Sequence, residues 1–261
     1  MASALFSRLF SRKKASSDRS TDGRLVYAVG DVHGRLDLLT PLLKTIAQDA
    51  AASQPAERPM LVFLGDYVDR GPDSAGVIEE VLALQAKGDF ETRALKGNHE
   101  EALLEFLAQP TFGPTWLDHG GGPTLASYGV APPIVRTDPA GWAASRDDFA
   151  EALPERHLEF CRSLELMVTV GDYAFVHAGV RPGVALDRQA EKDLLWIRRE
   201  FLEARGGFDK VIVHGHTPMQ QPQLTRHRIG LDTGAFATGV LTAARLLDDS
   251  CRILQATTTR L

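Results

Sequence analysis

The chain has almost no cysteine, Cys161 and Cys251 being the two in 261 residues. Two cysteines cannot build a disulfide framework, and both lie far from the histidine-rich segments described below. They read as free thiols in a reducing compartment. Strong charge of either sign is also missing. The formal net charge of −5 gives no global reason to expect nucleic-acid binding, so a phosphate-bearing substrate would need a local positive site. No apolar run approaches the roughly 20 residues of a membrane span. The first twenty residues hold Phe6, Leu9 and Phe10 without a continuous apolar stretch, then Arg12-Lys13-Lys14 and a serine-rich segment. That is not a secretory signal. Residues 1–22 read as a disordered basic tail, the alternative being a short basic amphipathic helix that touches anionic lipid. The expected location is cytoplasmic, without stable membrane insertion. Internal repeats are absent, as is any serine or cysteine in a recognisable nucleophile setting.

The remainder, residues 23–261, is 239 residues of a chain that is 44% hydrophobic, enough for one substantial core, and it reads as a single domain. Leu25 to Val29 and Met60 to Leu64 are compact apolar runs stopped by Gly-Asp, the pattern of buried strands. Leu36 to Ala50 and Pro72 to Lys87 carry apolar residues at helical spacing, and Thr92 to Leu95 is a third short strand. The β-α-β-α-β alternation predicts an α/β core with sites at the carboxyl ends of the strands. Glu100 to Ala108 reads as a helix. Pro110 to Gly141 is rich in Gly and Pro, and Arg146 to Leu164 reads as one helix. The segment of about 110–164 is expected to form a cap over the site, with Gly120-Gly121-Gly122 as a mobile tip. Trp116 and Tyr128 are either contacts for a peptide or aromatic ring, or core residues of that cap. Leu166 to Val170 and Tyr173 to Val176 flank a Gly171-Asp172 turn. Lys192 to Leu202 reads as a helix, Val211 to Val213 as a strand, and the end of the chain from Arg228 as antiparallel strands.

Five blocks carry chemistry: Gly30-Asp31-Val32-His33-Gly34, Gly65-Asp66-Tyr67-Val68-Asp69-Arg70-Gly71, Gly97-Asn98-His99-Glu100, His177-Ala178-Gly179 and His214-Gly215-His216. Most follow an apolar run directly. In extended backbone Asp31 and His33 point the same way, so both can ligate one ion; otherwise Asp31 caps the helix that follows. Asp66 ends a strand and has two oxygens, enough to bridge two ions. Asn98 offers an amide oxygen, and His177 and His216 offer neutral imidazoles, which suit zinc, iron or manganese better than magnesium or calcium. Two cations about 3.5–4 Å apart are the arrangement that hydrolyses phosphate esters. Arg70 can clamp phosphoryl oxygens in bidentate fashion. His99 is placed to protonate a leaving group, with Asp69 favouring its charged form. His119 and His214 are read as structural groups, Asp232 as tying a turn behind the site, and His157 and His227 as surface residues.

Taken in order, these blocks resemble the phosphoprotein phosphatase family within the metallophosphoesterases, of bacterial type, over Leu25 to about Ala243. The resemblance implies an α/β fold, a β-sandwich flanked by helices (α-β-β-α) with a small helical or loop cap. It also implies two divalent ions, manganese with iron or zinc as alternatives. Asp31, His33 and Asp66 would hold one, and Asp66, Asn98, His177 and His216 the other. It assigns phosphate binding to Arg70 and to a second arginine, for which Arg198 is preferred to Arg199. His99 becomes the general acid, paired with Asp69. Other metallophosphoesterases carry a further histidine where this chain has Pro218. The expected reaction is direct attack on phosphorus by a hydroxide bridging the two ions, on a phosphorylated protein, peptide or small phosphoester. The rivals are a symmetrical dinucleoside-tetraphosphate hydrolase, against which Asp69 and Glu100 speak, and an inactive metal-binding scaffold.

Overall fold

The computed structural model describes residues 19–258. The strands are β1 (Val26–Val29), β2 (Met60–Phe63), β3 (Glu91–Ala94), β4 (Met167–Val170), β5 (Tyr173–Val176), β6 (Val211–His214), β7 (Gln223–Leu224), β8 (Arg228–Gly230), β9 (Val240–Leu247) and β10 (Ser250–Thr257). The helices are α1 (Leu36–Ser53), α2 (Ser74–Lys87), α3 (Asn98–Ala108), α4 (Gly113–Asp118), α5 (Gly121–Ser127), α6 (Pro139–Ala152), α7 (Glu155–Ser163), α8 (Glu191–Trp196), α9 (Arg199–Leu202) and α10 (Ala235–Thr238).

Two five-stranded sheets form, in the orders β10-β9-β1-β2-β3 and β4-β5-β6-β8-β7. In the first, β1, β2 and β3 are parallel, and the β9–β10 hairpin adds antiparallel to β1. In the second, β5, β6 and β8 are parallel, with β4 and β7 antiparallel at the edges.

Alternation along the strands dictates the layers. Val26, Ala28, Met60 and Val62 turn inward and meet Phe175, Val213 and Ile229 of the other sheet. Tyr27, Val29, Leu61 and Phe63 turn outward under Leu39, Leu42 and Ile46 of α1 and Val77 and Val81 of α2. Ala174, Val176 and Ile212 of the second sheet are covered by Leu194, Ile197 and Phe201. The result is helix, sheet, sheet, helix, as expected from the resemblance. Full burial of an aliphatic or aromatic side chain is worth about 1.5–3 kcal/mol, so strands of four residues suffice when both faces are covered.

Parallel strands end on the same edge, and this is what builds the site. The chain leaves β1 at Gly30-Asp31, β2 at Leu64-Gly65-Asp66, β5 at His177 and β6 at Gly215-His216. After β3 it passes Gly97 straight into α3.

Several sequence expectations are corrected. The tail expected over 1–22 lies mostly outside the described residues, as does the amphipathic reading of Phe6 to Phe10. Its last residues are packed, however: Thr21 is buried, and Ser20 Oγ and the Thr21 N–H donate to Asp248 Oδ1. Arg146 to Leu164 is two helices, because Leu153 precedes Pro154 and takes an extended backbone (φ −75°, ψ 115°). Lys192 to Leu202 is likewise interrupted at Ile197 (ψ 138°) and Arg198 (φ −130°). Gly120-Gly121-Gly122 is no free tip, since Gly121 and Gly122 open α5 and Gly121 is buried against Trp116. Trp116 is fully buried, stacked on Phe106 of α3 at 4.9 Å and near Phe149 at 5.7 Å, so the core reading holds for it. Tyr128 also packs on this core, with its hydroxyl 2.9 Å from His157 Nδ1. His157 is therefore not a surface residue; it is buried between Tyr128 and Glu79.

Candidate active site

The loop after β2 carries the densest chemistry and the most unusual backbone. Asp66, Asp69 and Arg70 have φ of 54°, 71° and 69°, and His33 and His216 across the site have 47° and 65°. Left-handed backbone at non-glycine residues costs on the order of 1–3 kcal/mol each and persists only where surroundings enforce it. Here the enforcement is visible. Glu100, buried in the first turn of α3, accepts the N–H of Asp66 (3.0 Å), Tyr67 (2.8 Å), Val68 (3.2 Å) and Gly97 (2.9 Å). The N–H of His33 and Val32 donate to Asp66 O. Gly65 (φ 104°) must be glycine, because a Cβ there would stand 2.7 Å from Gly97 N and 2.9 Å from His177 Nδ1.

The imidazoles are oriented by their far nitrogens, as ligating histidines generally are. His33 Nδ1 donates to Val68 O at 2.9 Å and His177 Nδ1 to Leu64 O at 2.8 Å. Each leaves its Nε2 lone pair facing inward. His33 Nε2 accepts from Arg70 Nη1 at 3.0 Å, and His177 Nε2 lies 2.9 Å from Asn98 Oδ1. Asp66 Oδ2 faces three ring nitrogens, those of His177 at 3.5 Å, His33 at 3.6 Å and His99 at 3.9 Å. These separations exceed a hydrogen bond. They suit ligands gathered round a shared cation.

Donor atoms fall into two buried sets, His33 with Asp66 and His99, and Asp66 with His177 and His216, each within 4.8 Å. Asp66 belongs to both. His99 is the odd member of the first set, because its Nδ1 is committed to Asp69 Oδ2 at 2.7 Å. Burial works to lower the His99 pKa, but Asp66 and Asp69 outweigh it and raise it. With Nδ1 taken up by that carboxylate, only Nε2 is left to face the cluster. Asp31 belongs to neither set; its carboxylate accepts the His216 N–H at 2.9 Å, and burial, then the negative charges of Asp232 and Asp66, push it well above the usual range. A cation would relieve that excess of negative charge.

The other imidazoles are in the state a metal requires. Burial lowers His33 to about 3 and His216 to about 2, and it lowers His177 as well. Burial works to raise Asp66, but the surrounding imidazoles of His177, His99, His33 and His216 hold it below the carboxylate range. The Nε2 atom of His216 is buried without a hydrogen-bond partner, which inside a protein is costly unless a ligand completes it. The residues present therefore fit a pair of divalent cations.

Two guanidinium groups flank the cluster, and neither is paired with a carboxylate among the described residues. Arg70 leans over Phe236, its Cζ 4.8 Å from the ring centre. Arg198, freed by the break before α9, reaches Thr217 Oγ1 at 3.4 Å beside His216. Arg199 instead pairs with Glu203 at 3.1 Å on the exposed face of α9, which favours Arg198 as the second phosphate arginine. His214 is buried edge-on to Phe201 at 4.9 Å and does not join either donor set. Asp232 accepts the Gly234 N–H at 2.8 Å, tying the turn behind Asp31. His119 is at the rim, its Nδ1 donating to Thr115 O. His227 is half-buried and remote from both donor sets.

Sequence reasoning missed Glu100 as a structural anchor, Phe236, and the partners of Asp69 other than His99, namely Trp116, Thr124 and Ser74. Glu100 had a signal, lying three residues after Gly97 in the capping-box register. Phe236 had none.

A buried cluster of neutral imidazoles and carboxylates in two sets, sharing one aspartate and flanked by free guanidiniums, defines a metal-dependent phosphoester hydrolase. The calcineurin-like phosphoesterase model matches residues 25–239, and the chain belongs to that metallophosphoesterase family. Serine/threonine-protein phosphatase 1 of Salmonella typhimurium is 30% identical over 230 residues, spanning 85% of this chain and 92% of that protein, in keeping with the phosphoprotein phosphatase branch. The asymmetrical bis(5'-nucleosyl)-tetraphosphatase PrpE of Bacillus subtilis is 26% identical over 236 residues, 83% of this chain and 88% of that one. A solved structure of a protein provisionally called a diadenosine tetraphosphatase shares the fold, with a TM-score of 0.64 at 20% identity, over 93% of this chain and 97% of its own.

Glu100→Gln tests the anchor. The amide keeps the shape but turns an NH2 toward two backbone donors, so the expected loss is about 1.5–3 kcal/mol of stability, the worth of hydrogen bonds to a charged group. Urea unfolding in the presence of a chelator measures it. A variant as stable as the parent would mean that the strand ends alone hold the loop.

Proposed function

We propose that this phosphoesterase is a protein phosphatase for phosphoserine and phosphothreonine, with phosphotyrosine as an additional substrate. Asp31, His33 and Asp66 would hold one divalent cation, and Asp66, Asn98, His177 and His216 the other, manganese in the first instance and iron or zinc as alternatives. The cations would supply Lewis-acid charge on the phosphoryl group and a nucleophile at neutral pH. Arg70 and Arg198 would clamp the phosphoryl oxygens from opposite flanks and stabilise their growing charge.

The observation that carries the reading is the 2.7 Å bond from His99 Nδ1 to Asp69 Oδ2. It leaves Nε2 as the atom facing the cluster, able to give its proton to a departing oxygen. A seryl or threonyl alkoxide is strongly basic and needs that proton. A nucleoside polyphosphate is a far weaker base and needs it much less. An acid held this firmly is thus best matched to a phosphomonoester of an alcohol. The second reading, a dinucleoside-tetraphosphate hydrolase, is favoured by the tetraphosphatases among the similar proteins.

Initial rates on phosphoserine and phosphothreonine peptides, compared with diadenosine tetraphosphate, decide between the two. A kcat/KM higher for the peptides is expected; a clear preference for the dinucleotide would establish the second reading. His99→Asn should lower kcat on a phosphoserine peptide by roughly 10²–10⁴-fold, and much less on nitrophenyl phosphate, whose leaving group hardly needs a proton. Equal losses on both would remove His99 from the acid role. Asp66→Asn should lose hydrolysis and retain fewer than two bound ions per chain by elemental analysis, with melting in chelator unchanged. Full metal content in that variant would exclude Asp66 as the shared ligand.

A further inference from the structure

The Asp69 carboxylate receives three side-chain donors, and two of them come from the segment expected to be a cap. Its Oδ2 receives two donors, His99 Nδ1 at 2.7 Å and Trp116 Nε1 of α4 at 2.9 Å. Its Oδ1 receives the hydroxyl of Thr124 of α5 at 2.6 Å. Its backbone N–H is shared between Thr124 Oγ1 at 2.8 Å and Ser74 Oγ at 3.1 Å, and those two hydroxyls are 2.9 Å apart. Asp69, Ser74, Trp116 and Thr124 are all fully buried.

The protons in this cluster can be assigned from donor capacity alone. Thr124 has one hydroxyl proton, and it points at Asp69 Oδ1. Thr124 must therefore accept from Ser74, whose hydroxyl is the donor between them. The Trp116 indole can only donate. Every neighbour of the Asp69 carboxylate is thus a donor, and the proton in the His99–Asp69 bond sits on Nδ1. That leaves Nε2, buried without a partner, as the one ring atom free to carry a proton to a leaving oxygen. The next loop residue is gripped by the same segment, since the Arg70 N–H donates to Gly120 O at 2.9 Å.

We propose that Trp116 and Thr124 are positioning residues for the general acid, fixing the Asp69 carboxylate so that His99 delivers its Nε2 proton to the departing oxygen. The proposal rests on the assignment of His99 and Asp69 made above. As a hydroxide oxygen bonds to phosphorus and the ester P–O bond breaks, the electron pair of the broken bond goes to the leaving oxygen, which takes that proton, and Asp69 keeps hold of Nδ1–H throughout. On this view α4 and α5 are part of the catalytic apparatus.

The test uses the full-length, metal-loaded enzyme and two substrates, a phosphoserine peptide and nitrophenyl phosphate. Trp116→Phe removes the N–H and keeps a ring; Thr124→Val removes the hydroxyl and keeps the shape; Thr124→Ser restores the hydroxyl. Each of the first two should lower kcat on the peptide about 10-fold or more, as expected for loss of a hydrogen bond to a charged group. Both should leave the nitrophenyl rate within about two-fold and KM unchanged, and Thr124→Ser should recover the peptide rate. In Asp69→Asn, adding Trp116→Phe should cause little further loss, because residues acting as a unit are not additive. The indole N–H proton resonance of Trp116, read in heteronuclear spectra, should move upfield in Asp69→Asn. Equal losses on both substrates, or no loss on the peptide, in Trp116→Phe and Thr124→Val would overturn the proposal while Asp69→Asn still shows leaving-group selectivity. If Asp69→Asn shows no such selectivity, the acid assignment itself falls, and this proposal with it. Melting temperatures identify a variant that merely unfolds. Should Trp116→Phe do so, Thr124→Val and its Ser counterpart decide alone.

Discussion

One buried carboxylate holds the active face in register. Glu100 accepts from four backbone N–H groups, three in the loop after β2 and one at Gly97. It therefore ties the end of one strand to the start of α3, the element that carries Asn98 and His99. Without it, the left-handed backbone of Asp66 would rest on the Val32 and His33 N–H bonds to its carbonyl alone, and the loop carrying Asp69 and Arg70 would lose three of its anchors. Burial, reinforced by the negative Asp66, pushes Glu100 up to about 7. Four donors work the other way, because only the ionised form can satisfy them all. The proposed metal ligands depend on this bond network before any cation arrives.

The charge balance of the site follows from the same economy. Three imidazoles are kept neutral by burial and by facing other imidazoles, while Asp31, Asp66 and Asp232 crowd together beneath them. Asp232 is itself raised to about 6, by burial and then by the charge of Asp66. Such a concentration of carboxylates is unfavourable alone and becomes favourable around divalent cations. The chain's overall charge of −5 hides this local inversion, in which, on the proposed reading, a modestly acidic protein would present a phosphate with two cations and two arginines.

How much of this could be read from the sequence depended on range. Strands of four residues were legible because burial on both faces leaves unbroken apolar runs, and the stops at Gly30-Asp31 and Gly65-Asp66 marked their site ends. The hairpin at Gly171-Asp172 was legible from its turn residues. The helices α4 and α5 were not, because Gly113-Pro114 and Gly121-Gly122-Pro123 look like loop punctuation. In the first turn of a helix, proline has no hydrogen bond to lose. The roles of Trp116 and Thr124 had no local signal either, since both act on Asp69 from roughly fifty residues away. His157 was misjudged for the same reason: its burial is created by Tyr128 and Glu79 and not by its own neighbours.

The far edge of the sandwich has a practical consequence. Ser20 and Thr21 are bonded to Asp172 and Asp248, in the two hairpin turns at the strand ends opposite the chemistry. The described chain thus enters its fold at the pole remote from the ligands. A tether, fluorophore or partner domain joined ahead of this point would leave from the blind side, and enzyme attached to a solid support in that way would present its mouth outward. The carboxyl end offers no such insulation. Thr258 donates to Gly239, next to α10 and the Phe236 ring that leans on Arg70, so an extension there would begin at the rim of the catalytic opening.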